Sequence, residues 1–283
     1  MRPGLSDRTR RDVPSLDCEI HDLLKHRAEL DAAEADGARV PAPLRAAQTA
    51  RILRTILSRH SGNFPPRALV HIWSDILFAS DRQTTLHVFA GEDASGFRDL
   101  ARVHFGSMLP IVSHMSTTAI MHACADDRSA LGIVPPPESV ESGQAWWEQL
   151  APLGHPGPRI AQFLPFLRND PSPMPLPQGY VIGTIEQEST GHDTTLLRLE
   201  CHAGASRARL QSLLRQAGFH AQILAGSREA AMTVATRLLV ANKGFVAADD
   251  ERLPTLAKLA GEAIESVALV GGYADPVETA CPA

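Results

Sequence analysis

The stretch SLDCEIHDLLKHRAELDAAEADG, residues 15–37, carries apolar residues at the three-and-four spacing of a single helical face. That face comprises Leu16, Ile20, Leu23, Leu24 and Leu30. Arg27 shares the face, because it lies four residues after Leu23 and three before Leu30. A guanidinium among leucines requires an anion, since breaking a buried ion pair costs about 3–5 kcal/mol. The stretch therefore predicts a long helix in which Arg27 either pairs with a carboxylate, such as Glu19, or binds an anionic ligand.

Helical periodicity recurs twice more before residue 84. The first helix is predicted to start at an Asp12 N-cap with Pro14 in its first turn, and the next two to open near Pro43 and Pro66. The second and third helices carry the apolar residues Ile52, Leu53, Ile56, Leu57, Leu69, Ile72, Trp73, Ile76 and Leu77. Three helices this slender indicate burial against a partner subunit.

After Gln83 the period changes to strands that alternate with helices, which is typical of an α/β lobe with a parallel sheet. A proline-rich linker at 169–178 ends this lobe, and residues 179–276 follow an order of strands and helices typical of a ferredoxin-like α+β sandwich. Its last helix is predicted over 253–266 and its last strand over 267–270. The chain thus divides into a helical domain (5–84), an α/β lobe (85–178) and an α+β domain (179–276).

The composition argues against several classes of function. A net charge of −5 and a pI near 6.2 leave no broad cationic surface for nucleic acid or an anionic membrane. The four cysteines lie far apart, so neither a disulfide framework nor a zinc cage is expected. The N-terminus lacks a secretion signal and no apolar run reaches about 18 residues. We expect a cytoplasmic protein without a metal.

Three hydroxyl side chains also lie on predicted apolar helix faces, as Arg27 does. Ser80 and Thr84 continue the row of Ile72 and Ile76 at four-residue steps, and Thr49 lies one turn before Leu53. A single such residue usually bonds back to its own helix. Four polar positions on three helices predict a shared polar pocket.

These helices resemble the all-helical class of chorismate mutases over about residues 5–84. The resemblance lies in residues 15–37, in PLRAAQTARILRTIL (43–57) and in FPPRALVHIWSDILFASDRQT (64–84). It implies an intertwined homodimer that rearranges chorismate to prephenate without a cofactor. This pericyclic step transfers no proton, so cations and neutral donors that restrain the substrate and stabilise its ether oxygen suffice.

The resemblance implies three cationic contacts with the substrate dianion. Arg27 matches the first-helix arginine that binds a carboxylate, and Arg10 matches the arginine contributed across the dimer. Arg39 falls near the lysine that faces the ether oxygen. Pro14 is expected to leave Arg10 outside the regular helix or at a kink.

The remaining site residues include departures from the family. Ser80 matches a family serine, and Thr84, with Gln83 beside it, falls where a glutamine assists the ether. Gln48 and Thr49 replace an Arg-Glu pair, and the lost glutamate normally orders the substrate hydroxyl through a bond worth about 1.5–3 kcal/mol. The implied substrate contacts are Arg45, Gln48, Thr49 and Gln83.

The middle of the chain resembles the first lobe of prephenate dehydratases, in LHVFAGEDASGFRDLARVHFG (86–106) and TTAIMHACADDRSALGIVPPPES (117–139). The segment before Tyr180 is too short for that family's second lobe. The family's signature Thr-Arg-Phe falls on Gln178, Gly179 and Tyr180. We therefore expect no dehydratase activity.

The last hundred residues resemble the ACT-type regulatory domain that follows dehydratases, most closely in GFVAADDERLPTLAKLAGEAIESVALVGGY (244–273). Ser227 and Arg228 fall in its Glu-Ser-Arg-Pro effector loop, and Gly204, Ala205 and Ser206 replace its Gly-Ala-Leu signature. Two interpretations stay open: an effector site, or a domain retained for dimer packing.

Taken together, the residues and the resemblances favour a homodimeric chorismate mutase with chorismate as its small-molecule substrate. The alternative is a non-catalytic pathway protein that binds chorismate, prephenate or an amino acid, since Gln48 and Thr49 depart from the family. A bifunctional mutase and dehydratase is a third, less favoured reading.

Overall fold

A computed structural model describes residues 7–33, 45–91, 96–138, 145–168, 175–202, 205–228 and 235–278. For residues 7–11, 32–33, 228 and 235–236 it describes the backbone alone. The chain divides into two compact units, Met1–Val40 and Pro41–Ala283.

The described part of Met1–Val40 is one helix, α1 (Asp7–Ala33), of 27 residues. It starts five residues before the predicted Asp12 cap and runs through Pro14. A proline inside a helix removes one backbone hydrogen bond and crowds the carbonyl four residues earlier. Arg10 therefore lies within the helix, so the expected position outside it is wrong, while the alternative of a kink at Pro14 stays a prediction.

The unit Pro41–Ala283 begins with helices α2 (Ala46–Arg59) and α3 (Pro66–Phe78). Their apolar faces are buried against later parts of the chain. Two clusters share residues of these helices with the α/β region: Ala50, Leu53 and Val70 with Phe166 and Leu167, and Leu77 and Phe78 with Leu86, Leu100 and Phe105. The two helices therefore pack as a layer on the α/β body.

The remaining elements build a nine-stranded mixed sheet and its covering helices. The strands are β1 (Leu86–Phe89), β2 (Ile111–His114), β3 (Leu131–Val134), β4 (Arg159–Leu164), β5 (Leu167–Arg168), β6 (Gly179–Gly183), β7 (Asp193–His202), β8 (Ala221–Arg228), β9 (Ala235–Lys243), β10 (Ile264–Ala274) and β11 (Val277–Glu278). The helices are α4 (Phe97–Phe105), α5 (Thr117–Asp126), α6 (Arg207–Gln216) and α7 (Arg252–Ala260), with 3-10 turns at Trp146–Gln149 and Gly261–Ala263. The sheet order is β2-β1-β3-β6-β4-β10-β7-β9-β8, while β5 pairs with β11.

The first half of the sheet is only partly parallel. Strand β1 runs parallel to β2 and β3, as expected for an α/β lobe, but β6 inserts antiparallel between β3 and β4. Strand β6 contains Gly179 and Tyr180, so it completes the first half of the sheet instead of opening the second.

The second half, β7-α6-β8-β9-α7-β10, has the element order of a ferredoxin-like sandwich with strand order β10-β7-β9-β8. Helices α6 and α7 cover one face through Leu210, Leu214 and Leu256. The other face packs Leu196 and Leu239 against the two tryptophans Trp146 and Trp147.

The halves join where β10 meets β4, and two glycines shape this end of the chain. Gly271 has a φ of 123°, and a Cβ there would collide with the Ile160 backbone. Gly261, with a φ of 53°, ends α7, so the predicted helix over 253–266 is too long and β10 begins at Ile264. The sheet runs across the predicted boundary at 178, and the unit Pro41–Ala283 runs across that boundary and the one at 84. The three-domain division stays a prediction about sequence modules.

Candidate functional site

The face of α1 that the sequence assigns to the core is open to solvent in one chain. Its apolar side chains are 40–68% exposed: Val13, Leu16, Ile20, Leu23, Leu24 and Leu30. Exposed rows of this kind mark interaction sites. Within the described residues of Met1–Val40, this face has no other element to pack against.

Arg27 lies on that face and is half-buried. Its Nη1 donates to Asp31 Oδ2 at 2.9 Å, one helical turn further on, and both side chains are about 30% exposed. The carboxylate partner that the sequence left open is thus Asp31, and Glu19 is not that partner. Of the other predicted cations, Arg10 lies on α1 with its side chain undescribed, and Arg39 lies outside the described residues.

Three predicted residues lie at the start of α2. Arg45 Nη1 donates to Gln48 Oε1 at 2.8 Å, at the surface. Thr49 is buried and lines a cavity of about 30 Å³ between α2 and strands β4 and β10. That volume holds about two water molecules. Thr49 therefore faces a water-sized space, too small for a cyclic diacid.

Ser80, Gln83 and Thr84 lie in the turn after α3. The helix ends at Phe78, so Ser80 is exposed and the predicted row does not continue to Thr84. Asp81 organises the turn: its Oδ1 accepts from the Gln83 and Thr84 amides at 2.9 Å, and its Oδ2 accepts from Thr84 Oγ1 at 3.1 Å. An aspartate that binds the backbone two and three residues on is a common turn device.

Within the described residues of the unit Pro41–Ala283, three of the predicted pocket residues lie in different surroundings. Thr49 lines the water-sized cavity, Ser80 lies at the surface, and Thr84 lies in the turn after α3. Arg27 belongs to the other compact unit.

The ACT-like positions lie on β8 and at the start of α6. Ser227 is buried on β8, while the Arg228 side chain lies outside the described residues. Ser206 caps α6, because its Oγ accepts from the Arg209 amide at 3.2 Å. Its role there is structural, whichever of the two interpretations of this domain holds.

Sequence reasoning missed a larger cavity of about 300 Å³. It lies between α3, α4, the corner Pro165–Arg168 and residues 175–178, and Arg67 and Arg168 line it. Gln178, the counterpart of the dehydratase signature threonine, lines it too. The residues that form its walls lie up to 111 positions apart, from Arg67 to Gln178, so no local motif predicts the cavity.

His104 lines both cavities and is buried. Its Nε2 lies 2.5 Å from Gln162 Oε1. Burial lowers the pKa of His104 from 6.5 to about 4, although the Gln162 bond acts in the opposite direction. The ring is therefore neutral at physiological pH.

Helix α2 is tied to the ferredoxin-like half by two arginines. Arg54 donates to Thr190 Oγ1 and to the carbonyls of His192 and Asp275, each at 2.7 Å. Arg51 lies 3.4 Å from Glu188 in an exposed pair. The helix that carries Arg45, Gln48 and Thr49 is thus anchored to the β6–β7 connection.

No group of three or more His, Cys, Asp or Glu side chains in the described ranges is placed to hold a metal ion. Within these same ranges, every helix is too short or too polar to cross a membrane.

Comparisons with known proteins give likenesses of fold alone. No family model and no curated protein matches the chain. A prephenate dehydratase from Streptococcus mutans matches at 11% identity over 69% of this chain and 100% of its own, with a TM-score of 0.47. A prephenate dehydratase from Staphylococcus aureus matches at 10% identity over 67% and 99%, with a TM-score of 0.40. GqqA, a novel type of quorum quenching acylase, matches at 15% identity over 70% and 96%, with a TM-score of 0.45.

Proposed function

We propose that the protein is a chorismate mutase whose substrate pocket forms when two copies pair through α1. One observation carries this proposal: a row of exposed apolar side chains on α1 that contains Arg27. The resemblance of residues 5–84 to the all-helical mutases supports it.

The row on α1 has the spacing of a helix–helix seam. Val13, Leu16, Ile20, Leu23, Arg27 and Leu30 follow one another at steps of three and four, which is the a/d pattern of a heptad repeat. Burying one leucine contributes about 1.5–3 kcal/mol, so a second copy of the row would stabilise a dimer strongly. Arg27 then occupies an inner position of the seam, where a polar residue sets register and faces a ligand.

The ion pair of Arg27 does not prevent substrate binding. A pair four residues apart on a helix, with about 30% of each side chain exposed, is worth about 0.3–0.5 kcal/mol. A doubly negative substrate offers two carboxylates and competes readily with Asp31. The resemblance implies that Arg10 and Arg39 supply two further cations to the substrate.

The reaction requires only cations and hydrogen-bond donors around the substrate. The rearrangement of chorismate moves electrons in a ring, so no residue exchanges a proton, and stabilisation of the ether oxygen lowers the barrier. Arg45 and Gln48 lie at the surface at the start of α2 and are the donors that α2 would offer. Thr84 would have to leave Asp81 to take part, and Ser80 and Gln83 are exposed beside it.

The test is the loss of chorismate absorbance with purified full-length protein, followed by acid conversion of prephenate to phenylpyruvate. Arg27→Ala should lower the rate by about a hundredfold or more. Arg59→Ala, an exposed arginine at the end of α2, is the matched control and should retain full activity. Equal rates for wild type and Arg27→Ala would remove the site from α1.

A second candidate is a binding protein of the same pathway. Burial of Thr49 at a water-sized cavity favours it, because this residue replaces a glutamate that normally orders the substrate. Absence of turnover together with a chorismate-dependent rise in Tm would establish this candidate. Phenylpyruvate formed without acid would instead establish a dehydratase.

A further inference from the structure

Two histidines lie side by side at one edge of the nine-stranded sheet. His87 lies on β1, and His114 ends the neighbouring strand β2, which stands at one end of the sheet order. The two strands run parallel, and His87 pairs with Val112, two residues before His114. Because side chains alternate between the faces of a strand, both histidines lie on the same face of the sheet.

The two imidazoles meet through one nitrogen atom each. His87 Nδ1 lies 2.8 Å from His114 Nε2, and the ring centroids are 5.0 Å apart with the ring planes inclined by 28°. Between neutral rings this distance corresponds to one N–H···N hydrogen bond. Both side chains are half-buried, so packing restrains the pair while solvent and small ions still reach it.

The same spacing suits two nitrogen ligands of one metal ion. A bond from zinc or a neighbouring first-row metal to an imidazole nitrogen is about 2.0–2.1 Å long. Two such bonds at a right angle place their nitrogens about 2.8–3.0 Å apart, whereas a tetrahedral angle places them about 3.3–3.4 Å apart. The observed 2.8 Å corresponds to the right angle. Right-angled coordination by nitrogen and oxygen is typical of copper(II) and nickel(II).

A carboxylate acts on the pair from the end of α5. Burial and His114 lower the pKa of His87, while the Asp127 carboxylate acts electrostatically in the opposite direction. Asp127 itself accepts hydrogen bonds from the Ser129 amide at 2.8 Å and from Ser129 Oγ at 2.6 Å. Its negative charge therefore favours a cation at the histidines. Since the described residues place no third His, Cys, Asp or Glu ligand there, we expect water to complete the coordination.

We propose that His87 and His114 form a binding site for a divalent late transition-metal ion, copper(II) or nickel(II). The ion takes the place of the hydrogen between His87 Nδ1 and His114 Nε2, and water molecules fill its remaining positions. The imidazole that held this hydrogen carries it on its other ring nitrogen instead, so both rings stay neutral. The two histidines lie 27 positions apart in the chain, and their spacing in the sequence therefore does not indicate the site.

A bound ion would tie the edge strand β2 to β1. Strand β2 has little cover, since Val112 is 42% exposed and Met115, directly after the strand, is 70% exposed. An ion with one ligand on each strand binds the folded sheet in preference to the unfolded chain, so it should raise the Tm of the unit Pro41–Ala283. The site contains none of the residues assigned to the mutase pocket, and chorismate turnover should not depend on it.

The test is calorimetric titration of the full-length protein with nickel(II) chloride, with magnesium(II) chloride as the control ion. We expect saturable binding of nickel with a raised Tm, and no binding of magnesium, which prefers oxygen ligands. His87→Gln and His114→Gln should each weaken nickel binding by about tenfold or more, because even groups that only support a metal ligand contribute that much. His220→Gln is the matched control and should retain wild-type affinity, since His220 is exposed and precedes β8 at the opposite edge.

Electron paramagnetic resonance of the wild type with one equivalent of copper(II) covers the case in which a histidine variant fails to fold. The spectrum should show hyperfine splitting from two imidazole nitrogens. Wild-type nickel affinity in His87→Gln or His114→Gln, an absence of nickel binding, or a copper spectrum with fewer than two imidazole nitrogens would overturn the proposal. Because chorismate turnover is measured separately, failure of this site leaves the mutase proposal intact, and the reverse.

Discussion

Helix α1 and the pair α2 and α3 share the same amphipathic pattern, but their apolar faces have different environments. Leu23 on α1 is 68% exposed, whereas Leu53 on α2 is 1% exposed and packs with Val70 and Phe166. The pattern predicts that each face is buried, but it does not name the surface that buries it. For α2 and α3 that surface is the α/β body, and for α1 we propose a second copy.

The largest expected effect is a difference in the free energy of unfolding between the alanine variants of these two leucines. Leu53→Ala should lower the free energy of unfolding of the unit Pro41–Ala283, here called the body, by about 2–5 kcal/mol, because it leaves a cavity in a packed core. Leu23→Ala should change it by less than about 0.5 kcal/mol, because the side chain is exposed in one chain. Urea unfolding followed by tryptophan fluorescence measures both, since all three tryptophans lie in Pro41–Ala283.

The outcome for Leu23→Ala is the informative one, and it should be measured at low protein concentration, where dimers dissociate. A loss of several kcal/mol from the body in that variant would mean that α1 packs on its own chain. The comparison between the two helical regions would then fail.

Much of the fold follows from local pattern. The local pattern predicts a helix over Phe97–Phe105, and α4 has these bounds because its amphipathic face repeats within nine residues. It also predicts strands over Leu86–Ala90, Pro110–Ser113, Ala130–Val134 and Arg159–Leu164, and β1 to β4 fall within one residue of these positions. The position of β6 between β3 and β4 depends on a pairing of distant segments, which no local period encodes.

The buried region should also differ from α1 in its response to acid. Burial holds the pKa of His104 near 4, against 6.5 in the unfolded chain, so the unfolded state binds more protons between these values. The stabilisation is complete above about pH 6.5 and is lost as the pH falls towards 4, with a total of about 3 kcal/mol.

The measurement is the free energy of unfolding of the body at pH 7 and pH 5, in wild type and in His104→Leu. We expect the variant to show a smaller loss between the two pH values than the wild type. The histidines of α1, His21 and His26, are exposed, and His21→Leu serves as the matched control with a wild-type pH response. Identical pH dependence in His104→Leu would show that His104 is not the group that titrates.

A smaller effect concerns the attachment of α2. Arg54→Gln removes donors from three acceptors and should destabilise the body by about 2 kcal/mol. Arg51→Gln removes an exposed pair and should cost about 1 kcal/mol or less. The same fluorescence-detected unfolding compares them. Equal losses would mean that the attachment of α2 rests on its apolar face alone.

The candidate site was harder to predict than the fold. The position of Arg27 on the apolar face of α1 was predictable from spacing, but its partner Asp31 was not chosen among several acids. Thr84 was misplaced because the row of Ile72 and Ile76 was extended beyond the end of α3 at Phe78. The cavity of Arg67 and Arg168 joins segments that only the tertiary fold brings together.

The most direct test of the pairing of α1 is the molar mass in solution, measured by sedimentation equilibrium at micromolar concentration. We predict 61 kDa for the wild type, twice the 30.5 kDa of one chain, and 30.5 kDa for Leu23→Asp with its tryptophan-detected unfolding unchanged. A wild-type mass of 30.5 kDa, or a Leu23→Asp variant that remains at 61 kDa, would contradict the proposal that a second copy covers α1.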